Sequence, residues 1–249
     1  MTTAPLLSIV TVSAFDQYRL AKTFQSLSSI SPSVEHTLVI PMDDLNGIDL
    51  WRTYKESSGN LTRLVNDDGC GVYSAMNLGA RASTGKYISF WNAGDMLYSK
   101  DNLQAMLKKL MEFEPNWLVH QGDFNWRSKQ ELSVENIERF ITNSPNAFIS
   151  HQTVVVKLEK FRELGEFKLR YRVAADTEQI TKLFNFCEPV FEPLTVVHVE
   201  KPAFASSNHR LARLETTQIA LTRLSGTRRI RAIKNIFLKE LLNASKKLK

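Results

Sequence analysis

The stretch 66–95, NDDGCGVYSAMNLGARASTGKYISFWNAGD, constrains the fold more than any other part of the chain. Residues 66–71 form a polar loop punctuated by Gly69 and Gly71. Residues 73–82 are rich in Ala, Met and Leu, good helix formers, so a helix is predicted there. Thr84-Gly85 stops it. Residues 86–91, KYISFW, have the β-branched and aromatic composition of a buried strand. That strand empties into Asn92-Ala93-Gly94-Asp95. In an α/β sheet, a carboxylate released at the carboxyl end of a strand lies where such sheets bind ligands. Gly94 permits close approach of backbone or ligand.

The same alternation runs through the rest of the chain. Strands are predicted at 6–12, 34–40 and 61–65, with helices at 17–29 and 50–56 between them. After Asp95 the pattern predicts a helix at 102–112 and a strand at 117–120 leading to Gly122-Asp123. A helix at 134–141, a strand at 147–156 containing His151-Gln152, and helices at 158–164 and 174–184 follow. A strand at 190–199 closes the series. Strands and helices alternating at short intervals define an α/β fold with a mostly parallel, Rossmann-like sheet flanked by helices. Two carboxylates, Asp43 and Asp44, stand after the second strand and repeat the placement of Asp95.

From residue 208 the character changes. Residues 210–249 hold eleven Lys and Arg against Glu215 and Glu240, a net charge of +9, so the preceding residues carry −3 of the chain's total of +6. Ser225-Gly226-Thr227 splits this region into two helices. In the second, Ile230, Ile233, Phe237, Leu241, Ala244 and Leu248 recur at steps of three and four among basic residues. The expected organisation is a catalytic domain at 1–207 and a basic helical extension at 208–249. Two cysteines, Cys70 and Cys187, give no disulfide framework and no zinc-ligand cluster. The N-terminus lacks the charged start and long apolar core of a signal peptide. No run approaches the ~20 apolar residues of a membrane span. The expected location is cytoplasmic, peripheral on the inner face of the membrane.

The segments GVYSAMNLGA and STGKYISFWNAGD resemble the GIYDAMNKG…ATGKYIxFLNAGD pattern of family 2 inverting GT-A-type glycosyltransferases. The branch is the one that builds bacterial surface polysaccharides of the colanic-acid type, and the resemblance covers roughly residues 6–186. It implies transfer of a sugar from a nucleotide-diphosphate sugar to an acceptor hydroxyl, with inversion and with Mn²⁺ or Mg²⁺. The acceptor it implies is a saccharide or lipid-linked saccharide. Asp95 falls at the metal and diphosphate position, with Asn92 replacing the first acid of the motif. Asp43 or Asp44 falls at the acid that contacts base or ribose. Asp68 and Asn77 match donor-contacting positions, and Ser13, directly after the first strand, joins them. The stretch GEFKLRYRVAADTEQ resembles G-x-F-x-x-x-Y-x-I-A-x-D-Y-x-L, which makes Asp176 the base. His151, in a His-Gln pair common to this branch, and Asp123 are acceptor-side candidates.

Other readings use the same residues. Asn, Gly and Asp are turn formers, and Asp176 suits the first turn of any helix. A non-catalytic nucleotide-sugar-binding member is compatible with the thinned acidic motif. A nucleic-acid-binding protein is suggested by the +9 tail, but the tail offers no aromatic stacking platform and no nucleic acid is expected. A dinucleotide enzyme is disfavoured because SAFDQY, not G-x-G-x-x-G, follows the first strand. The basic amphipathic helix at 228–249 is expected to dock on an anionic membrane surface, each Lys or Arg adding up to ~1 kcal/mol. Full-length protein should co-sediment with vesicles containing anionic lipid, less so in high salt, and removal of 228–249 should abolish this. Unfolding of the truncated chain would place the helix in the core or an interface instead.

Overall fold

A computed structural model describes residues 4–124, 149–200 and 208–223. The helix expected at 134–141, the basic helix at 228–249 and the first two residues of the strand expected at 147–156 lie outside these. The first half reads β1 (Leu7–Val12), α1 (Gln17–Leu27), β2 (Val34–Pro41), α2 (Leu45–Ser58), β3 (Leu61–Asp67), α3 (Val72–Ala82) and β4 (Tyr87–Asn92). The second half reads β5 (Met96–Leu97), α4 (Lys100–Phe113), β6 (Trp117–Phe124), a 3₁₀ turn (His151–Thr153), β7 (Val154–Lys157), α5 (Leu158–Glu163), α6 (Ala175–Phe186), β8 (Val190–Val199) and α7 (His209–Arg223).

One sheet of eight strands runs in the order β3-β2-β1-β4-β7-β6-β8-β5. Strands β3, β2, β1 and β4 are mutually parallel, as strand–helix–strand units require. The other half is mixed. β7 is antiparallel to both β4 and β6, β8 is parallel to β6, and β5 is antiparallel to β8. The sheet is therefore parallel in its first half and mixed in its second. The strand expected over 147–156 is shorter than that. Its described part begins with the 3₁₀ turn at His151 and only then becomes β7.

Both faces of the sheet are buried, which is why the strands read as apolar runs instead of alternating. Leu7 and Ile9 of β1, Tyr87 and Trp91 of β4, and Leu118 of β6 pack with Leu20 of α1 and Leu107 of α4. Val10, Val12, Ile88, Phe90, Trp117 and Val119 face the opposite way, against Met76 of α3, Phe161 of α5 and Ile180 of α6. Phe90, Phe161 and Phe167 form a triangle with ring centroids 4.9–5.3 Å apart. Glu35 of β2 is fully buried and accepts from Ser8 Oγ (2.5 Å), Thr84 N (2.8 Å), Thr84 Oγ1 (3.0 Å) and Arg63 Nη2 (3.1 Å). Burial pushes its pKa up, but these donors outweigh it and hold the group below the usual range.

The expected division at residue 207 does not coincide with a packing boundary. Ile219 of α7 belongs to the same core as β1 and α3. Arg223 Nη2 donates to the buried Glu178 of α6 at 2.5 Å, and Asn185 Nδ2 donates to Arg223 O at 2.9 Å. The unit that contains the sheet thus extends at least through Arg223.

Helix α3 approaches the sheet at Gly79. A Cβ there would lie 2.3 Å from Val10 Cγ1 and 3.0 Å from Val39 Cγ2, both on buried strand residues. In an exposed helix, Gly→Ala gains ~1 kcal/mol. Here overpacking, typically ~1–3 kcal/mol, outweighs the gain. Gly79→Ala should lower the unfolding free energy in urea; a rise would show that α3 can lift away without cost.

Candidate active site

Four of the expected site residues, Ser13, Asp43, Asp68 and Asn92, lie at the carboxyl edge of β1, β2, β3 and β4. Ser13 ends β1 with a buried hydroxyl that has no hydrogen-bond partner. Asp43 follows β2 and is exposed. Asp68 follows β3, also exposed, and accepts from Cys70 N at 3.0 Å and Ser74 Oγ at 2.9 Å. These donors hold its carboxyl below the usual range, the Cys70 N–H foremost. Asn92 ends β4, half-buried.

Asp176 stands in the first turn of α6. Its Oδ1 accepts from Tyr73 Oη (2.9 Å) and Thr177 N (2.8 Å), and its Oδ2 lies 3.1 Å from His151 Nδ1. Burial works to raise its pKa. The hydrogen bond and charge of His151, the Thr177 N–H and the Tyr73 hydroxyl together overcome that and leave the carboxyl below its ordinary value. With the carboxylate ionised, a ring hydrogen of His151 belongs on Nδ1; in the neutral ring Nε2 is then the acceptor facing Asn92 Nδ2 at 3.4 Å. The Tyr73 hydroxyl also lies 2.9 Å from Val173 O, so its one hydrogen is shared between the two acceptors. Burial, and then the Asp176 charge, push the Tyr73 pKa well up, so its proton stays on.

Asn92, His151 and Asp176 thus meet from three separate elements, with Tyr73 behind them. Helix α3 brings Tyr73, the 3₁₀ turn brings His151, and the start of α6 brings Asp176. Residue spacing alone gave no hint that Tyr73 belongs here, although it stands one turn before Asn77. Asp123, at the end of β6, is paired with His198 Nδ1 at 2.8 Å. A cavity of about 20 Å³ lies behind the pair, lined by His151, Asp176, Gln179 and the aromatic rings of Phe90, Phe161 and Phe167.

Three of the expected ligand residues have other partners. Asn77 is buried, and both ends of its amide are engaged by Phe167: Nδ2 donates to Phe167 O (2.9 Å) and Oδ1 accepts from Phe167 N (3.0 Å). It ties α3 to the loop ahead of α6 and presents nothing to a donor. Asp44 caps α2 through Gly47 N (3.0 Å) and binds Phe15 N (2.7 Å) and Gln17 Nε2 (2.7 Å). It fixes the loop after β1, where Phe15 is 59% exposed at φ 55°, a conformation uncommon for a non-glycine residue. Of the two acids after β2, Asp43 is therefore the one open to a ligand.

Asp95 is the third. It is 1% exposed; Oδ2 accepts from Asn92 N at 2.6 Å and Oδ1 from Glu200 N at 2.9 Å. Burial outweighs these donors and pushes its pKa up to about 6. Its backbone carbonyl accepts from Thr23 Oγ1 at 2.8 Å. This is a clasp that closes the turn after β4 onto the end of β8. It does not fit a divalent ion, which needs several open oxygens. Among the described residues no three of His, Cys, Asp and Glu are grouped to hold a metal.

No family model matches the chain. It is 30% identical over 140 residues to a PGL/p-HBAD biosynthesis glycosyltransferase of Mycobacterium bovis, a match covering 55% of this chain and 53% of that protein. A Mycobacterium tuberculosis protein of the same description matches equally. The chain thus spans about half the length of the curated relatives it matches. Among solved structures it resembles S. aureus TarS 1–349 in complex with UDP-GlcNAc, with a TM-score of 0.70, 12% identity, and coverage of 93% of this chain and 71% of that one. It also resembles the mannosyltransferase PcManGT from Pyrobaculum calidifontis in complex with GDP-Man and Mn²⁺, with a TM-score of 0.69, 15% identity, and coverage of 96% and 70%. The fold is that of the GT-A glycosyltransferases.

The clasp reading of Asp95 separates from the metal reading by experiment. In Asp95→Asn an amide NH₂ faces one of the two backbone N–H donors, leaving it buried and unsatisfied at ~1–3 kcal/mol. The variant should lose that much stability in urea unfolding. Unchanged stability, with Mn²⁺-dependent binding of a nucleotide sugar abolished, would return Asp95 to the metal.

Proposed function

We propose that the chain is a glycosyltransferase that moves a sugar from a nucleotide-diphosphate sugar to an acceptor hydroxyl with inversion, in bacterial cell-surface glycan assembly. The observation that carries the reading is the meeting of Asn92, His151 and Asp176 at the carboxyl edge of β4, in a GT-A fold. The 30% identity to proteins named as glycosyltransferases supports it independently. Nucleotide sugars bound by TarS and PcManGT support the donor class.

The donor lies along the ends of β1, β2, β3 and β4. The unpartnered Ser13 hydroxyl, the open Asp43, Asp68 and the Asn92 amide are its polar contacts. The acceptor enters from the side of His151 and Asp123. In the chemical step the acceptor oxygen attacks the anomeric carbon from the face opposite the diphosphate. Its proton passes to Asp176 as the new C–O bond forms, and the bond to the diphosphate breaks with its electron pair on the leaving oxygen. The positive charge developing at the anomeric carbon is of the oxocarbenium kind. For Mn²⁺ or Mg²⁺ the support is the Mn²⁺ that accompanies GDP-Man in PcManGT. The described residues supply no ready-made cage for it. The acceptor class is a saccharide or lipid-linked saccharide, and the basic tail would hold the enzyme beside an anionic membrane carrying it. No helix among the described residues is long and apolar enough to cross a membrane.

One observation favours a second assignment within the same reaction. Both oxygens of Asp176 are already engaged, whereas His151 Nε2 faces Asn92. The proton would then go to Nε2, with Asp176 orienting the ring. Thermal-shift screening with UDP, GDP and their sugars, with and without Mn²⁺ or Mg²⁺, tests the class; a ligand at a hundred times its dissociation constant stabilises by ~2.7 kcal/mol. Absence of any shift would count against the whole reading.

Asp176→Asn should keep donor affinity and lower transfer by on the order of 10²–10⁴-fold. Because the Asp176 carboxyl is held below its usual range, it stays ionised through the neutral region. Transfer should be flat there and fall only in acid, as the carboxylate protonates. A profile that instead follows imidazole protonation, with His151→Asn as damaging as Asp176→Asn, would move the proton acceptor to His151.

A further inference from the structure

Three successive backbone N–H groups ahead of α6 converge on one side chain from the far end of the chain. Glu215 of α7 accepts from Arg172 N through Oε1 at 2.8 Å, and from Val173 N and Ala174 N through Oε2 at 2.9 Å each. Consecutive N–H groups of this kind form an anion-binding concavity, and hydrogen bonds to an ionised acceptor are roughly twice as strong as neutral ones. The Glu215 side chain is buried, on a helix anchored by Ile219 in the core and by Arg223 against Glu178.

The location gives this contact its meaning. Ala174 is the residue that precedes the first turn of α6, where a side-chain oxygen usually caps the helix; alanine has none. Glu215 does not replace that oxygen; from about forty residues away it takes the N–H of Ala174 itself, the donor that the third-residue acid takes in a capping box. From the other side, Tyr73 Oη binds Val173 O and Asp176 Oδ1 together. The segment 172–174 is therefore gripped on its N–H side by Glu215 and on its carbonyl side by Tyr73, two residues before Asp176. Without Glu215 these three donors lose their acceptor, and the next carboxylate along the sequence is Asp176 itself.

We propose that Glu215 is a positioning residue of the site: by filling the backbone concavity at 172–174 it holds Asp176 on His151 and Tyr73, and helix α7 is thereby part of the active centre. The effect on turnover rests on the reading of Asp176 as the base; the positioning itself does not.

The experiment uses the full chain and follows the His151 ring N–H by NMR, with its resonance assigned from its loss in His151→Gln. Asp176→Asn calibrates the scale, because it removes the carboxylate that Nδ1 faces at 3.1 Å and with it the charge-assisted hydrogen bond. Glu215→Gln should move the resonance in the same direction by at least half as much. It should also reduce transfer by on the order of 10²-fold, the scale of a ~1 Å misplacement. Ile219→Val, which loosens the same helix and leaves the Glu215 carboxylate in place, should lose stability and leave the resonance and transfer as in the parent chain. A parent-like resonance in Glu215→Gln, or an equal displacement in Ile219→Val, would overturn the proposal. Normal transfer in Asp176→Asn would remove the base assignment, yet the resonance would still decide the positioning. Should Glu215→Gln not fold, Glu215→Asp, which keeps the charge and withdraws it by one methylene, is judged by the same criteria.

Discussion

An ionised carboxylate taken out of water costs several kcal/mol unless donors replace its hydration. Asp176 is such a group, and every donor that steadies it except the Thr177 N–H comes from elsewhere in the chain. Tyr73 reaches it only because α3 packs on β1 and β2 through Gly79. His151 reaches it only because β7 pairs with β4. The backbone before it is steady because Glu215 arrives on α7. The pair cannot form in a partly assembled fold, so the geometry of the candidate site and the completion of the core depend on the same contacts.

The same device recurs around the sheet. Glu35, Asp44, Asp95 and Glu215 are all buried carboxylates that bind the backbone N–H groups of loops. Loops at a strand edge leave peptide groups without ladder partners, and buried peptide groups must find one. A carboxylate satisfies two or more such groups at once. This is why acidic residues at strand ends serve architecture as readily as ligands, and why Asp44 and Asp95 differ in accessibility from their neighbours Asp43 and Asn92.

The strands and helices of the first half were legible because each is local. A β-branched run, a helix-forming run and a Gly or Pro stop lie within a few residues of one another, and β1 to β4 fall where those patterns put them. The second half was less legible. β5 has two residues and β7 four, and both exist through pairing with strands distant in sequence. Asp176 and His151 were visible as residue types in a pattern, but their contact was not. Asn77 matched a donor-contacting position, and nothing near it in sequence announces the loop that covers it at Phe167. Glu215 gave no signal at all. In a stretch dominated by Lys and Arg, one glutamate reads as a solvated counter-charge, and only the fold brings it to 172–174.

The antiparallel insertion of β7 explains the position of the site. In a sheet continuing parallel beyond β4, the start of the next strand would lie at the amino edge, away from Asn92. Because β7 runs the other way, with Tyr87 opposite Lys157 and Ile88 opposite Val156, the end of β4 meets the start of β7. Continuing that register carries Asn92 to the level of the His151–Thr153 turn, where Asn92 Nδ2 and His151 Nε2 are 3.4 Å apart. The turn is a 3₁₀ segment rather than more strand. That lifts His151 out of the pleat, where its side chain would face one layer of the core, and leaves it half-buried between Asn92 and Asp176. The reversal of one short strand thus joins the ligand edge of the parallel half to the helix that carries the carboxylate.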